Sequence, residues 1–303
     1  MTAVALIDAP GVYDIPYDAY HGDPVEAGSL SSSGARKLMP PSCPAKFKLW
    51  LEEGQAPSHE FDIGHAAHKL VLGAGPELRV IEASDWRTKA AKEQRDEAHA
   101  EGAVPLLEHE FEKVAAMAAA LKAHPVASTL LSPDRGKAEQ TVVWRDEEFG
   151  VWRRALLDHL PHAVSGRRMI VADYKTTNSG APGDVPRAMH GYGYHQQLDW
   201  YLAGVKALGL HGDREPAGVL IFQEKTKPYL VSIFQPNQQA MDIAHTRNRK
   251  ALDIYRHCTT TNEWPGYGND VMPLSLPGWA EWEHFDAEER GDFTITTPKG
   301  VPA

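Results

Sequence analysis

Apolar residues follow two kinds of pattern along the chain, and together these predict a mixed α/β fold. Short apolar or alternating runs predict strands over residues 76–82, 138–145, 150–158, 170–177, 218–224 and 229–234. Apolar stripes at helical spacing predict helices over residues 35–39, 45–53, 61–72, 106–123, 190–208 and 238–257. Residues 1–29 are rich in proline and glycine and predict an irregular arm.

The run from Ile170 to Thr177 predicts a buried strand that carries charged residues near its end. Side chains alternate along a strand, so Asp173 and Lys175 share one face while Tyr174 points to the other. A structural ion pair would explain this pattern without any chemistry. A carboxylate beside an ammonium is also typical of catalytic sites. Other residues of the chain are needed to distinguish a structural ion pair from a catalytic site.

Asp158 ends the preceding predicted strand, and the loop that follows contains Pro161 and Gly166, which is typical of a hairpin. Antiparallel pairing of the two strands would bring Asp158 close to Asp173. Two neighbouring carboxylates repel each other, and a divalent cation between them is the usual way to keep both ionised. The pattern therefore favours a metal site at these strands.

Two predicted helices add polar residues to this set. Gln197 and Tyr201 lie one turn apart and share a helix face. His65 and His68 lie three residues apart, near one face of the helix over 61–72. A structural hydrogen bond is the ordinary role of such a histidine, so the spacing alone leaves both roles open.

Composition excludes several other classes of protein. The net charge of −10 over 303 residues argues against a diffuse nucleic-acid binder, although an enzyme with a local basic groove remains compatible with it. Cys43 and Cys258 are far apart in sequence and predict free thiols in a reducing cytoplasm. No apolar run is long enough to span a membrane, and the N-terminus lacks the features of a signal peptide.

The order of these motifs resembles the PD-(D/E)xK nuclease superfamily, in its RecB/RecE-like exonuclease branch. The chain has G-x-x-x-H at Gly64 to His68, then an aspartate, then D-x-K, then Q-x-x-x-Y. The resemblance covers about residues 30–257 and implies a restriction-endonuclease-like α/β core, with a central mixed sheet flanked by helices. Helices added at the N-terminus and a C-terminal extension over residues 258–303, packed on the core, complete the expected organisation.

The resemblance also implies a catalytic metal and its ligands. The ligands would be the side chains of His68, Asp158 and Asp173 together with the backbone carbonyl of Tyr174. Carboxylate oxygens suit Mg²⁺ or Mn²⁺, and an imidazole shifts the preference towards Mn²⁺. Lys175 would hold the attacking water and stabilise charge in the transition state.

Four further residues are expected around this centre. Gln197 and Tyr201 would position water or the DNA backbone, and they complete the candidate catalytic set. Glu139 stands where the family often has an acidic residue, and it either supports the metal ligands or faces solvent. His65 would be accessory to His68.

Ser31, Ser33 and Gly34, which precede a short predicted helix, resemble the opening segment of RecE-type exonucleases. The serines could simply cap the helix. A helix N-terminus beside hydroxyl groups and Arg36 is also a candidate site for the 5′-phosphate of a DNA end.

The family pattern is not complete in this chain. Leu157 stands where the family has a proline, and the cysteines that hold an iron–sulfur cluster in some relatives are absent. The resemblance therefore implies a cluster-free phage-type exodeoxyribonuclease in a bacterial or phage-infected cytoplasm. It would degrade linear double-stranded DNA, 5′ to 3′, with a single-strand-annealing protein as recombination partner, and it could be a homo-oligomer with no membrane association. Alternatives are a catalytically silent DNA-end-binding module, a nuclease acting mainly on single-stranded DNA, and a metal-dependent hydrolase with another substrate.

Overall fold

The computed structural model of the chain describes residues 6–54 and 59–294. The chain divides into two compact units, Met1–Gly266 and Tyr267–Ala303. All candidate functional residues lie in the first unit. Its last helix continues to Thr261, beyond the boundary after residue 257 that the sequence predicts.

The described residues form nine strands, numbered in chain order: β1 (Gly11–Tyr13), β2 (Leu30–Ser31), β3 (Leu78–Ile81), β4 (Val104–Leu107), β5 (Gly136–Arg145), β6 (Trp152–Pro161), β7 (Ile170–Thr177), β8 (Ala217–Glu224) and β9 (Val231–Phe234).

They also form eleven α-helices: α1 (Tyr17–His21), α2 (Ser32–Leu38), α3 (Pro44–Glu53), α4 (His59–Leu72), α5 (Lys89–Ala100), α6 (Glu108–Ala123), α7 (Pro125–Leu130), α8 (Val185–Tyr192), α9 (Tyr194–Ala207), α10 (Gln238–Thr261) and α11 (Gly278–Glu289). A 3-10 helix spans Pro133–Arg135. None of these helices is long and apolar enough to cross a lipid bilayer.

The strands form three sheets within the described ranges. One has the order β1-β5-β6-β2, with β5 antiparallel to both β1 and β6 and with β2 parallel to β6. Another has the order β7-β8-β9, in which β7 and β8 are parallel and β9 is antiparallel to β8. The parallel pair β3-β4 is the third. Mixed strand directions and flanking helices confirm the predicted α/β class.

Helices cover both faces of β7. Val171 packs into a core cluster that includes Trp200 of α9 and Leu252 of α10. Ala172 and Tyr174 pack into a second cluster, which includes residues of α4 and α6. The alternation of side chains along β7 therefore holds this strand between two layers of helices. The strand that carries Asp173 and Lys175 is consequently buried over its central residues, 171–174.

Three details differ from the sequence-based predictions. The predicted ladder between β6 and β7 is wrong, because within the described residues these strands belong to different sheets. The predicted helix over residues 190–208 is two helices, since Gly193 adopts a left-handed conformation with φ of 66° between α8 and α9. The helix predicted from residue 106 begins at Glu108, because the two preceding leucines end the buried strand β4.

Candidate active site

Asp158 lies at the point where β6 approaches β7. Its Oδ2 accepts a 2.7 Å hydrogen bond from the backbone N–H of Tyr174 and lies 3.4 Å from Nε2 of His68 on α4. The carboxylate thus takes the N–H that a strand ladder would otherwise use. Burial would raise the pKa of Asp158, but the charges of His68 and Lys175 and the Tyr174 N–H outweigh burial and lower it. Asp158 is therefore held as an anion.

His68 is fixed at both ring nitrogens. Its Nδ1 lies 2.9 Å from the carbonyl oxygen of Gly64, one turn earlier in α4, and its Nε2 faces Asp158. The ring also packs against Tyr174, with ring centroids 4.9 Å apart. Burial opposes the charged imidazolium, but Asp158 outweighs it and raises the pKa of His68 to about 9. The G-x-x-x-H spacing thus brings the glycine carbonyl to the histidine ring.

Asp173 is completely buried beside Lys175. Lys175 Nζ donates a 2.9 Å hydrogen bond to Asp173 Oδ1 and lies 2.9 Å from Oδ2, but Oδ2 has no properly directed hydrogen bond within the described part of the chain. Burial raises the pKa of Asp173 to about 6, with Asp158 adding to the shift and Lys175 opposing it. Asp173 and Lys175 form an ion pair, as the simplest interpretation of the sequence predicted. This pair lies close to the other candidate groups, Asp158 and His68.

Gln197 and Tyr201 face each other on α9 as their spacing predicts. Gln197 Nε2 donates a 2.6 Å hydrogen bond to the hydroxyl oxygen of Tyr201. Burial, followed by the negative charges of Asp173 and Asp158, raises the pKa of Tyr201 well above its ordinary value. The phenol therefore stays neutral, close to the two carboxylates.

Glu139 occupies a distorted position in β5. The register pairs Ala138 with His159 and Gln140 with Leu157 but omits the pair between Glu139 and Asp158, and Glu139 has a φ of 51°. Positive φ is uncommon for a residue with a side chain and often marks a functional site. Glu139 stands opposite Asp158 in this register, and burial and the charge of Asp158 raise the pKa of Glu139 to about 7. Glu139 also lines a cleft of about 780 Å³.

His65 contacts the N-terminal arm. Its Nε2 lies 2.9 Å from the hydroxyl of Tyr17 on α1, and burial lowers the pKa of His65. Tyr17 also lines the cleft beside Glu139. Sequence patterns gave Tyr17 no role because nothing local signals a contact across 48 positions of the chain. The segment expected to be an irregular arm therefore contributes a short helix to the neighbourhood of the site.

The predicted phosphate site divides into separate parts. Ser31 is buried, and its Oγ accepts a 3.2 Å hydrogen bond from the Gly34 backbone N–H, so it caps α2. Ser33 is exposed on the same helix. Arg36 packs against the backbone of Gly193. A Cβ atom added to this glycine would lie 2.4 Å from Arg36 Cδ. Arg36 Nε is buried and has no hydrogen-bond partner among the described residues.

The donor groups fit a divalent cation by their chemistry. Asp158 and Asp173 offer buried carboxylate oxygens, Oδ2 of Asp173 lacks a directed hydrogen bond, and His68 adds an imidazole nitrogen. Within the described ranges, no three His, Cys, Asp or Glu side chains are already arranged as a metal-binding group. Two of these donors, His68 and Asp158, contact each other directly, with 3.4 Å between Nε2 and Oδ2.

Two neighbouring arginines of β6 have structural roles. Arg153 lies 3.9 Å from the ring centroid of Trp200 and forms a 3.2 Å ion pair with Asp146. Arg154 donates to the carbonyl and hydroxyl oxygens of Ser29 at 2.7 and 2.8 Å. Both arginines are buried, so neither belongs to an exposed basic surface.

One solved structure agrees with this architecture. The structure resembles a "putative exonuclease" from Eubacterium rectale, with a TM-score of 0.56, 13% identity, and coverage of 88% of this chain and 97% of the other. It also aligns with a phage-related exonuclease from Haemophilus somnus 129PT, with a TM-score of 0.31, 12% identity, and coverage of 78% and 96%. A comparison with curated proteins found no match.

Residues 31–272 match the family model described as a PDDEXK-like domain of unknown function, DUF3799. This match spans most of the chain and includes every candidate site residue. It confirms the resemblance to the PD-(D/E)xK superfamily that the order of the motifs indicated. The chain therefore belongs to the DUF3799 family of PDDEXK-like domains.

Proposed function

We propose that this protein is a divalent-metal-dependent exodeoxyribonuclease that hydrolyses phosphodiester bonds of linear double-stranded DNA. Family membership and fold support a nuclease. The observation that carries the proposal is the meeting of Asp158, Asp173, Lys175 and His68 in one enclosed site. Two buried carboxylates can hold a divalent cation, and a lysine beside them can stabilise the charge that develops on the phosphate.

Asp158 and Asp173, with His68 and the backbone carbonyl of Tyr174, would hold Mg²⁺ or Mn²⁺. Such an ion acidifies bound water and polarises a phosphate oxygen. Asp158 is already ionised and oriented by the Tyr174 N–H. Glu139, across from Asp158, would support the same centre, and His65 would help to position α4 through Tyr17.

Lys175 supplies fixed positive charge. Burial disfavours its ammonium form, but Asp173 and Asp158 outweigh burial and raise its pKa, so the group stays protonated. It can hold the attacking water and stabilise the negative charge of the transition state. The Tyr201 hydroxyl, oriented by Gln197, can position water or a phosphate oxygen.

Recognition of a DNA end would depend on Arg36. Its side chain is half-buried, and the accessible part of its guanidinium would donate to a phosphate oxygen. Ser33 is exposed and could add a hydroxyl contact, whereas Ser31 caps α2 and serves the site indirectly. We expect preference for a 5′-phosphate and digestion from 5′ to 3′, which would expose 3′ single strands for an annealing protein in phage-type recombination. The setting would be a bacterial or phage-infected cytoplasm.

The proposal is tested by digesting end-labelled linear duplex beside a covalently closed circle of the same sequence. We expect Mg²⁺ or Mn²⁺ to be required and only the linear form to disappear. Equal attack on the closed circle would contradict an exonuclease. Faster digestion of single strands than of duplex would favour the alternative substrate instead. Binding of ends without cleavage in either metal would favour a silent end-binding module.

A further inference from the structure

Two tyrosines at the junction of α8 and α9 form an exposed aromatic pair. Tyr192 and Tyr194 flank Gly193, and their rings stack with centroids 5.4 Å apart and planes 21° from parallel. Tyr192 is 61% exposed, whereas Tyr194 is half-buried. An aromatic ring that is exposed and yet held in a stack is suited to receive another flat group.

The inner tyrosine reaches the catalytic groups. Lys175 Nζ lies 5.0 Å from the centroid of the Tyr194 ring, within the range of a cation–π contact. The Tyr194 ring also contacts Phe222 of β8, with centroids 5.8 Å apart and planes tilted by 59°. The two tyrosines therefore form a continuous path from the protein surface to Lys175.

Positive charge surrounds the same junction. The Arg36 side chain crosses Gly193, and its Nε has no hydrogen-bond partner in the described part of the chain. Arg247 of α10 lies beside the start of α9, where its Nε donates a 3.1 Å hydrogen bond to Oε1 of Gln196. Aromatic faces among cations are the features by which proteins bind single strands of nucleic acid.

We propose that Tyr192 and Tyr194 are a stacking platform for an unpaired nucleobase of the DNA strand whose phosphate is cleaved, with Arg36 beside that strand's backbone. The inference rests on the proposed nuclease function and adds a way to hold an opened duplex end. In a duplex each base stacks on its neighbours, and a base that leaves the duplex loses this stacking. Stacking on a protein ring compensates for the loss. The flanking cations favour a polyanion over an apolar protein surface as the occupant.

Photo-crosslinking tests the contact directly. A duplex that carries 5-iododeoxyuridine at its 5′ end is mixed with the full chain, with Ca²⁺ replacing Mg²⁺ to slow cleavage, and is then irradiated. Mass spectrometry of the digested adduct is expected to place the crosslink on Tyr192 or Tyr194. A crosslink confined to other residues would overturn the proposal.

Variants at the exposed ring test its contribution. Tyr192→Leu is expected to weaken binding of blunt duplex ends about tenfold, because it removes the stacking face, whereas Tyr192→Phe retains it. Digestion of ends that are already frayed by mismatches should slow less than digestion of paired ends. Tyr267→Leu, which alters a tyrosine that is 59% exposed in the C-terminal unit, is the matched control and should bind normally.

The outcomes separate this inference from the proposed function. If the wild-type protein digests DNA and the Tyr192→Leu variant binds and digests paired and frayed ends as well as the wild type does, the platform alone is overturned. Equal losses for Tyr192→Phe and Tyr192→Leu would also overturn it, because the ring would not be the active feature. Wild-type protein that neither binds nor digests DNA would overturn both.

Discussion

The backbone N–H of Tyr174 donates a 2.7 Å hydrogen bond to Oδ2 of Asp158, and this bond links two strands that share no ladder in the described structure. One carboxylate therefore connects β6 to β7 and is also a ligand of the proposed metal ion. The geometry of the candidate site and the junction between the two sheets depend on the same group.

Two substitutions at Asp158 should separate these roles. Asp158→Asn retains a carbonyl oxygen for the Tyr174 N–H but removes the charge that faces His68 and Lys175, so we expect a loss of unfolding free energy together with a large loss of Mn²⁺ affinity. Asp158→Ala also leaves the buried N–H without a partner and should cost about 1–3 kcal/mol of stability beyond the loss in Asp158→Asn. Urea unfolding and calorimetry measure the two effects. Equal stability of both variants would show that the hydrogen bond does not hold the strands together.

Lys175→Ala should abolish cleavage while metal binding persists, because an ammonium group stabilises charge but does not ligate a cation. Loss of one such group typically raises a barrier by about 3–4 kcal/mol. Single-turnover digestion gives the rate, and Mn²⁺ calorimetry serves as the control. A variant that cuts at the wild-type rate would contradict the role assigned to Lys175.

Asp146 should control stability in acid. Burial opposes its ionisation, but hydrogen bonds from Arg249 and the Phe149 N–H, together with the charge of Arg153, outweigh burial and lower its pKa. A carboxyl group whose folded pKa is lowered stabilises the protein above its unfolded pKa of about 3.9, and this stability is lost as pH falls below that value.

Asp146→Asn should therefore destabilise the protein by about 3 kcal/mol at neutral pH and flatten the fall in stability towards acid. Glu148 pairs with the same Arg249 but is exposed, so Glu148→Gln is the matched control and should cost less than about 1 kcal/mol. Urea unfolding between neutral and acidic pH measures both. Parallel pH curves for wild type and Asp146→Asn would contradict the assignment.

Gly193 should be sensitive to substitution in a way that its neighbour Gly191 is not. A Cβ at Gly193 would lie 2.4 Å from Arg36 Cδ, and its φ of 66° disfavours a side chain, whereas a Cβ at Gly191 meets nothing within 4 Å. We expect Gly193→Ala to displace Arg36 and erase the preference for 5′-phosphorylated over 5′-hydroxyl ends. Gly191→Ala should retain it. Loss of the preference in both variants would point to the helix junction rather than to Arg36.

The sequence predicted those parts of the site that depend on local periodicity. Asp173 and Lys175 share a face because a strand alternates, and Gln197 meets Tyr201 because a helix turns once in about four residues. Neither relationship needs knowledge of distant residues. The order of the motifs was also sufficient to indicate the superfamily, which the family match confirms.

The relationships that escaped prediction depend on contacts between distant segments. Asp158 approaches β7 through its side chain rather than through a ladder, and a hairpin-like linker does not distinguish these arrangements. The contact of Tyr17 with His65 crosses from the arm to α4. The left-handed Gly193 interrupts an apolar pattern that continues from α8 into α9, so the periodicity alone predicted one helix.

The most direct test of the central claim is the rate at which label is released from a linear duplex by wild-type protein and by Asp173→Asn, at equal concentrations of Mg²⁺ or Mn²⁺. The buried Asp173 is replaced by a group of nearly the same shape, so circular dichroism should confirm that the variant is folded. We expect release by the wild type only with metal, and release at least ~100-fold slower by the variant. A folded Asp173→Asn variant that releases label as fast as the wild type would contradict the account.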